Sequence, residues 1–258
     1  MLIEIETRLD YVLPGTADVL LQLEAAIIPE QCVLDARIAL SPLEHFARVP
    51  GQDDIGERIW VRAAERLTVE YQSTVRVERL DADLATIPGV PPHLLPGPVV
   101  AYLFASRYCN SDSFEQFVNG EFGGLEGGAR VAAIRDWIGA NLRYEPGSSG
   151  PETTAGDTFN ARQGVCRDYA HLMIALTRAS GIPARYASVY GLGVEPQDFH
   201  AVAEVFIGDV WYLVDATGMT TAAGAAKIGV GRDAADVSFL TCFGEAHMEA
   251  QSVNVRAV

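Results

Sequence analysis

The sequence has no run of about 18 or more apolar residues, so no helix it forms could span a bilayer. Lysine is nearly missing: Lys227 stands alone against 18 arginines, and Lys and Arg total 19 against 34 Asp and Glu. The formal charge of −15 would repel phosphate, which makes nucleic acid and anionic membrane poor partners. One lysine also leaves little scope for self-crosslinking. The N-terminus, MLIEIETRLDYVL, lacks a basic start and sets acids among its apolar residues, unlike a signal peptide. The expectation is a cytoplasmic protein. Cys32, Cys109, Cys166 and Cys242 lie far apart with no CxxC pair, which fits reduced thiols and argues against structural zinc. The spacing of His200 and Glu204 does not make HExxH, and no PCxxC accompanies it. The Gly-rich stretch GEFGGLEGG (120–128) has neither the lysine of a phosphate loop nor the strand context of a dinucleotide site, and reads as a flexible loop. No cofactor and no metal are expected.

What is present is an ordinary globular composition, with 49% hydrophobic and 21% charged residues, which argues against disorder. Residues 2 to about 80 read as strands: LIEIETRLDYVL, ADVLLQLEAAII, QCVLDARIAL and an alternating stretch through Leu67, Val69 and Tyr71. Short turns and no convincing helix predict an antiparallel β-domain over 1–86. The proline-rich IPGVPPHLLPGP (87–98) is the expected linker. Over 99–258 the period changes. ARVAAIRDWIGANL (129–142) has helical spacing, a turn-rich loop follows, and a second helix is expected over about 166–179. Strands at 185–191, 199–207 and 210–216 come next, then a tail with one or two late strands. The fold class predicted is α+β.

The segment RQGVCRDYAHLMIALTRASGIPAR (162–185) carries most of the chemistry. Cys166 sits where the helical pattern begins, and Ser180-Gly181 with Pro183 beyond marks its end. A thiol at a helix N-terminus faces unpaired N–H groups and the positive end of the dipole. Both favour thiolate, and the same N–H groups can hold an oxyanion. Cys32, Cys109 and Cys242 lack such a setting and read as inert. Asp168 reads as a first-turn acid favoured by the dipole. His171, on a helix packed with apolar residues, reads as a core histidine, and His45, His93 and His247 have no nameable partner.

Downstream, Gly208-Asp209 between two apolar runs is a two-residue hairpin signal. With that turn, Ile207 faces Val210 and Val202 lies opposite Asp215. His200 and Asp215 then share a face as diagonal neighbours, close enough for imidazole and carboxylate to hydrogen-bond. The same Asp215 could instead cap the turn before Thr217-Gly218. Read together, the residues supply a nucleophile, Cys166, a base, His200, and an orienting carboxylate, Asp215.

At GVCRDYAHLMIAL, GIPAR and HAVAEVFIGDVWYLVDAT the sequence resembles the bacterial transglutaminase-like cysteine protease family, with Trp137, Tyr144 and TTAGDTF also matching. GVGRDAADV (229–237), YLFASRYCNSD (102–112) and the N-terminal β-region extend the resemblance. It implies a papain-like catalytic domain, with a central helix on an antiparallel sheet, following the β-domain. It also implies a Cys166–His200–Asp215 triad acting on a peptide or protein. Trp137 and Gln163 are both available as a second oxyanion donor. Many members carry an aromatic residue two after the histidine. Here it is Val202, which argues against a water-excluding channel for an amine and favours hydrolysis over transglutamination. A non-catalytic peptide-binding module is the reading from a different class, and an intact triad argues against it.

Overall fold

The structure, a computed structural model, describes residues 1–79 and 81–258. Two long strands organise its first layer: β1 (Leu2–Leu21) and β4 (Glu57–Val77), paired antiparallel along most of their length. β2 (Gln31–Leu40) and β3 (His45–Pro50) both pair with β4. Alternation assigns the faces. Ile3, Ile5, Leu9, Val61, Leu67 and Val69 are buried, while Arg8–Glu70, Arg66–Asp10 and Arg62–Asp18 bridge β1 and β4 on the opposite face. Those exposed pairs keep the outer face in water and add little to stability. PGTAD does not separate two strands as expected. β1 runs through it with a register shift between Leu13 and Ala17.

After Val77 come short 3₁₀ turns in the proline-rich stretch and the four-residue α1 (Gly97–Val100). Then follow α2 (Glu115–Phe122), α3 (Gly127–Asn141), β5 (Arg143–Tyr144), α4 (Ala155–Ala161), β6 (Gln163–Gly164) and α5 (Cys166–Ala179). The Gly-rich stretch is not a flexible loop. It ends α2 and begins α3, and its glycines are there for close approach. Gly127 has φ +51°, and a Cβ on Gly128 would lie 1.8 Å from the Leu84 carbonyl oxygen. That contact, with the Gly128 N–H donating to the Ile87 carbonyl at 2.9 Å, seats the start of α3 where the expected β-domain meets the expected linker.

The second sheet is β7 (Ala184–Gly191), β8 (His200–Ile207), β9 (Val210–Val214) and β10 (Ala225–Gly231), all antiparallel in the order β10-β7-β8-β9. β7, β8 and β10 are buried at every residue. The reason is layering. Ala203, Val205 and Ile207 pack in the cluster formed with α5, while Tyr190, Ala226 and Ile228 pack into the inner face of the large sheet. Covering on both sides explains why these strands read as apolar runs. Tyr190 ties the layers, stacked on Tyr71 and donating its hydroxyl to the Leu23 carbonyl at 2.6 Å.

The tail holds two further strands beyond β10: β11 (Leu240–Phe243) and β12 (His247–Ala257), and both pair with β1. The six-stranded sheet therefore draws on both ends of the chain rather than on residues 1–86 alone. The fold is α+β, with a helical layer, a four-stranded sheet and a six-stranded sheet. Among the described residues no helix is long and apolar enough to cross a membrane.

Candidate active site

Cys166 is the first residue of α5, as the apolar pattern and the Gly164 approach imply. A Cβ on Gly164 would meet the Asp168 side chain at 2.6 Å, so glycine lets the chain turn tightly into the helix. Asp168 is more than a first-turn acid favoured by the dipole. Its side chain is fully buried, and its carboxylate accepts from the Val165 N–H at 2.8 Å and from the Ser149 hydroxyl. It fixes the first turn of α5 and so the direction in which Cys166 projects.

The hairpin forms in the expected register, with Ile207 opposite Val210 and Ala203 opposite Val214. Gly208 and Asp209 both take positive φ, 56° and 65°, as a type I′ turn requires. His200 Nε2 stands 2.9 Å from Asp215 Oδ2. Asp215 also caps the turn: its Oδ1 accepts from the Thr217 N–H and hydroxyl at 2.9 and 2.7 Å, and its Oδ2 from the Thr220 N–H at 3.0 Å. The two uses assigned to this carboxylate coexist. The turn donors hold it still while it holds the imidazole.

Burial by itself would lower the His200 pKa. The hydrogen bond to Asp215 and the nearby Cys166 outweigh it and raise the pKa to about 9. Asp215 is held below the usual carboxylate range: burial opposes ionisation, but His200 and the turn donors dominate. With Nε2 on Asp215, the other ring nitrogen, Nδ1, is buried without a hydrogen-bond partner, on the same cavity as Cys166. A raised pKa means the folded state holds this proton more tightly than the unfolded chain. The associated stability is fully present below about pH 6.5 and is lost as pH rises through about 9. An NMR titration of the His200 ring is expected to show a midpoint near 9, falling in Asp215→Asn. A midpoint at or below about 6.5 would mean that burial prevails.

Cys166 and His200 open on a cavity of about 310 Å³, walled mainly by Tyr108, Tyr186, Phe199 and Phe239. Val202 is not part of that wall. It is 2% exposed, in a small cluster with Ala187, Val189 and Leu213, so it says nothing about water or amine access. Neither candidate for the second oxyanion donor lines the cavity. Trp137 stacks on Phe159 under the Arg162 guanidinium, and the Gln163 amide oxygen accepts from Arg143 at 3.0 Å. A residue left without a role by the sequence is Tyr144. β5 and β6 pair in parallel with Tyr144 opposite Gly164, which brings the phenol to Cys166. Burial first, and then Cys166, push its pKa up to about 12, so it stays a neutral hydroxyl. Its position just after α3 was the available signal.

Of the remaining histidines and cysteines, His171 backs the cavity wall, stacked on Tyr108 at 5.0 Å and tilted against Tyr186 at 5.5 Å between ring centroids. His171 is fully buried, accepts from the Ala234 N–H at 3.1 Å, and is held neutral by burial with a pKa of about 4. Cys109 is buried and its thiol pushed up to about 12 by burial, while burial also raises Cys242. Cys32, read as inert in its apolar strand, is exposed: it pairs with Arg76 on the outer face of the sheet, while its neighbour Gln31 takes the buried face opposite Val77. Lys227 is 2% exposed and paired with Glu204 at 2.5 Å, so it is not offered to any acyl group.

The transglutaminase-like superfamily matches residues 117–216, which contain Cys166, His200 and Asp215. Among solved structures, the "putative cysteine protease" of Cytophaga hutchinsonii is similar at 34% identity and a TM-score of 0.92, covering 99% of this chain and 90% of that one. An uncharacterized protein of Mycobacterium leprae is 34% identical over 119 residues, 43% of this chain and 42% of its own length. An uncharacterized protein of Mycobacterium tuberculosis is 39% identical over 69 residues, 26% of this chain and 22% of its own. The matches thus span less than half of the mycobacterial relatives. The chain belongs to the bacterial transglutaminase-like family.

Proposed function

We propose that this protein is a cysteine-dependent amide hydrolase acting on a peptide or protein. Cys166 is its nucleophile, His200 its proton carrier and Asp215 the group that orients His200. The observation that carries the reading is the His200–Asp215 contact at 2.9 Å, with the free face of the imidazole and the first residue of α5 on one cavity. The protease designation of the Cytophaga relative, similar over nearly the whole chain, supports amide bonds in peptides as the target.

The Cys166 sulfur attacks the carbonyl carbon as thiolate, its proton resting on His200. The Cys166 backbone N–H, at the helix start beside the Tyr144 hydroxyl, is in place to donate to the developing oxyanion. The C–N bond breaks, and the amine leaves with the proton from His200. Water then attacks the thioester, His200 takes its proton, and the carboxylic acid departs as the thiol is restored.

Limiting iodoacetamide with peptide mapping tests the nucleophile. Cys166 is expected to be alkylated first although Cys32 is more exposed, so exposure alone predicts the opposite order. Labelling of Cys32 ahead of Cys166 would sink the assignment. A labelled primary amine offered with a glutamine-containing protein tests the second half-reaction. Amine incorporation that outpaces hydrolysis and depends on Cys166 would replace hydrolysis by transamidation.

A further inference from the structure

We propose that Arg167 is a carboxylate-recognition residue in the wall of the Cys166 cavity, so that the favoured substrate carries a free carboxylate close to the amide under attack. The inference rests on the reading of Cys166 as nucleophile. One edge of the guanidinium is locked. Nε donates to Asp168 Oδ1 at 3.3 Å, and Nη2 donates to the same oxygen at 3.1 Å, to the Gly150 carbonyl at 2.7 Å and to the Ser149 hydroxyl at 3.2 Å. Asp168 is itself immobilised by Val165 and Ser149.

The other edge is unused. Nη1 donates to nothing among the described residues, and the side chain is 28% exposed where it lines the cavity. Holding Asp168 and the loop at Ser149 and Gly150 uses Nε and Nη2, and leaves Nη1 unaccounted for. Apart from Cys166 and His200, Arg167 is the sole ionisable side chain other than tyrosine among the described lining residues. Overall the protein carries −15, which works against anion capture. Arg167 is ion-paired with the buried Asp168. What it offers an anion is therefore a rigid guanidinium with a free N–H₂ beside the nucleophile rather than a surplus of charge. It loses little side-chain freedom on binding, and planar N–H donors suit a carboxylate.

Iodoacetate and iodoacetamide, similar in size and different in charge, test this on the intact chain. The ratio of their rate constants at Cys166 is expected to fall about tenfold in Arg167→Gln and to be largely kept in Arg167→Lys. His200 attracts iodoacetate equally in all three proteins and cancels. A merely structural role for Arg167 would slow both reagents together and leave the ratio unchanged. That outcome overturns the proposal and leaves Cys166 standing as nucleophile. Inertness of wild-type Cys166 to both reagents overturns the two readings together. Protection of Cys166 from iodoacetamide by acetyl-Ala-Ala with a free C-terminus would place the carboxylate at a chain end. Protection by acetyl-Ala-Glu amide would place it on a side chain, and either result supports recognition. Protection by neither, or equal protection by the neutral acetyl-Ala-Ala amide, overturns it.

Discussion

Cys166→Ala is expected to lower turnover of any amide substrate by at least about 10⁴-fold, and His200→Ala by a similar factor, because neither step of acyl transfer proceeds without them. Asp215→Ala should leave roughly 100-fold more activity than either, since the carboxylate orients the imidazole and does not react. The double variant Cys166→Ala/His200→Ala should be little worse than each single one, as for residues that act as a unit. Cys166→Ala removes only a partly buried sulfur and is expected to unfold close to the wild-type midpoint. His200→Ala removes a fully buried ring and strands the Asp215 carboxylate, so its midpoint is expected to fall. Its turnover is compared well below that midpoint, to separate lost chemistry from lost structure. His200→Ala retaining most of its turnover would require another base.

Glu204→Leu is expected to destabilise the fold by about 3–5 kcal/mol, the usual cost of stranding buried charge. Glu204 is 1% exposed, with Lys227 Nζ at 2.5 Å on one oxygen and Arg185 Nε at 2.8 Å on the other. Arg185 in turn reaches Asp53 at 2.8 Å, which also accepts from the Tyr102 hydroxyl at 2.6 Å. Burial would raise the Glu204 pKa, but the charges of Lys227 and Arg185 prevail and hold it at about 2. The carboxylate is thus more acidic folded than unfolded. Its stabilisation is complete above about pH 4.5 and is lost as pH falls through about 2. Adding Lys227→Met to Glu204→Leu should recover part of the loss, because Arg185 keeps Asp53 and no unpaired lysine remains. Urea unfolding of the single and double variants measures this. A double variant no more stable than Glu204→Leu would mean that packing, and not stranded charge, sets the cost.

What could be read from the sequence is what local rules decide. α5 starts at Cys166 and ends at Ala179 because apolar periodicity, Gly164 and the Ser180-Gly181 break all act within a few residues. The Gly208-Asp209 turn sets the register of β8 against β9, and that register alone brings His200 to Asp215. Both signals are short in range, so one sequence suffices to weigh them. The tertiary structure decided everything that depends on distant segments meeting. β12 closes on β1 with Ile3 opposite Ala257, a pairing no local pattern encodes. The cavity takes its walls from Tyr108, Tyr186, Phe199 and Phe239, residues on separate elements, and Val202, which the family resemblance pointed to, is not among them. Lys227 reads only as a lone lysine until Glu204 is seen beside it. Charge in the interior depends on what the fold places within a few ångströms, and chain order does not specify that.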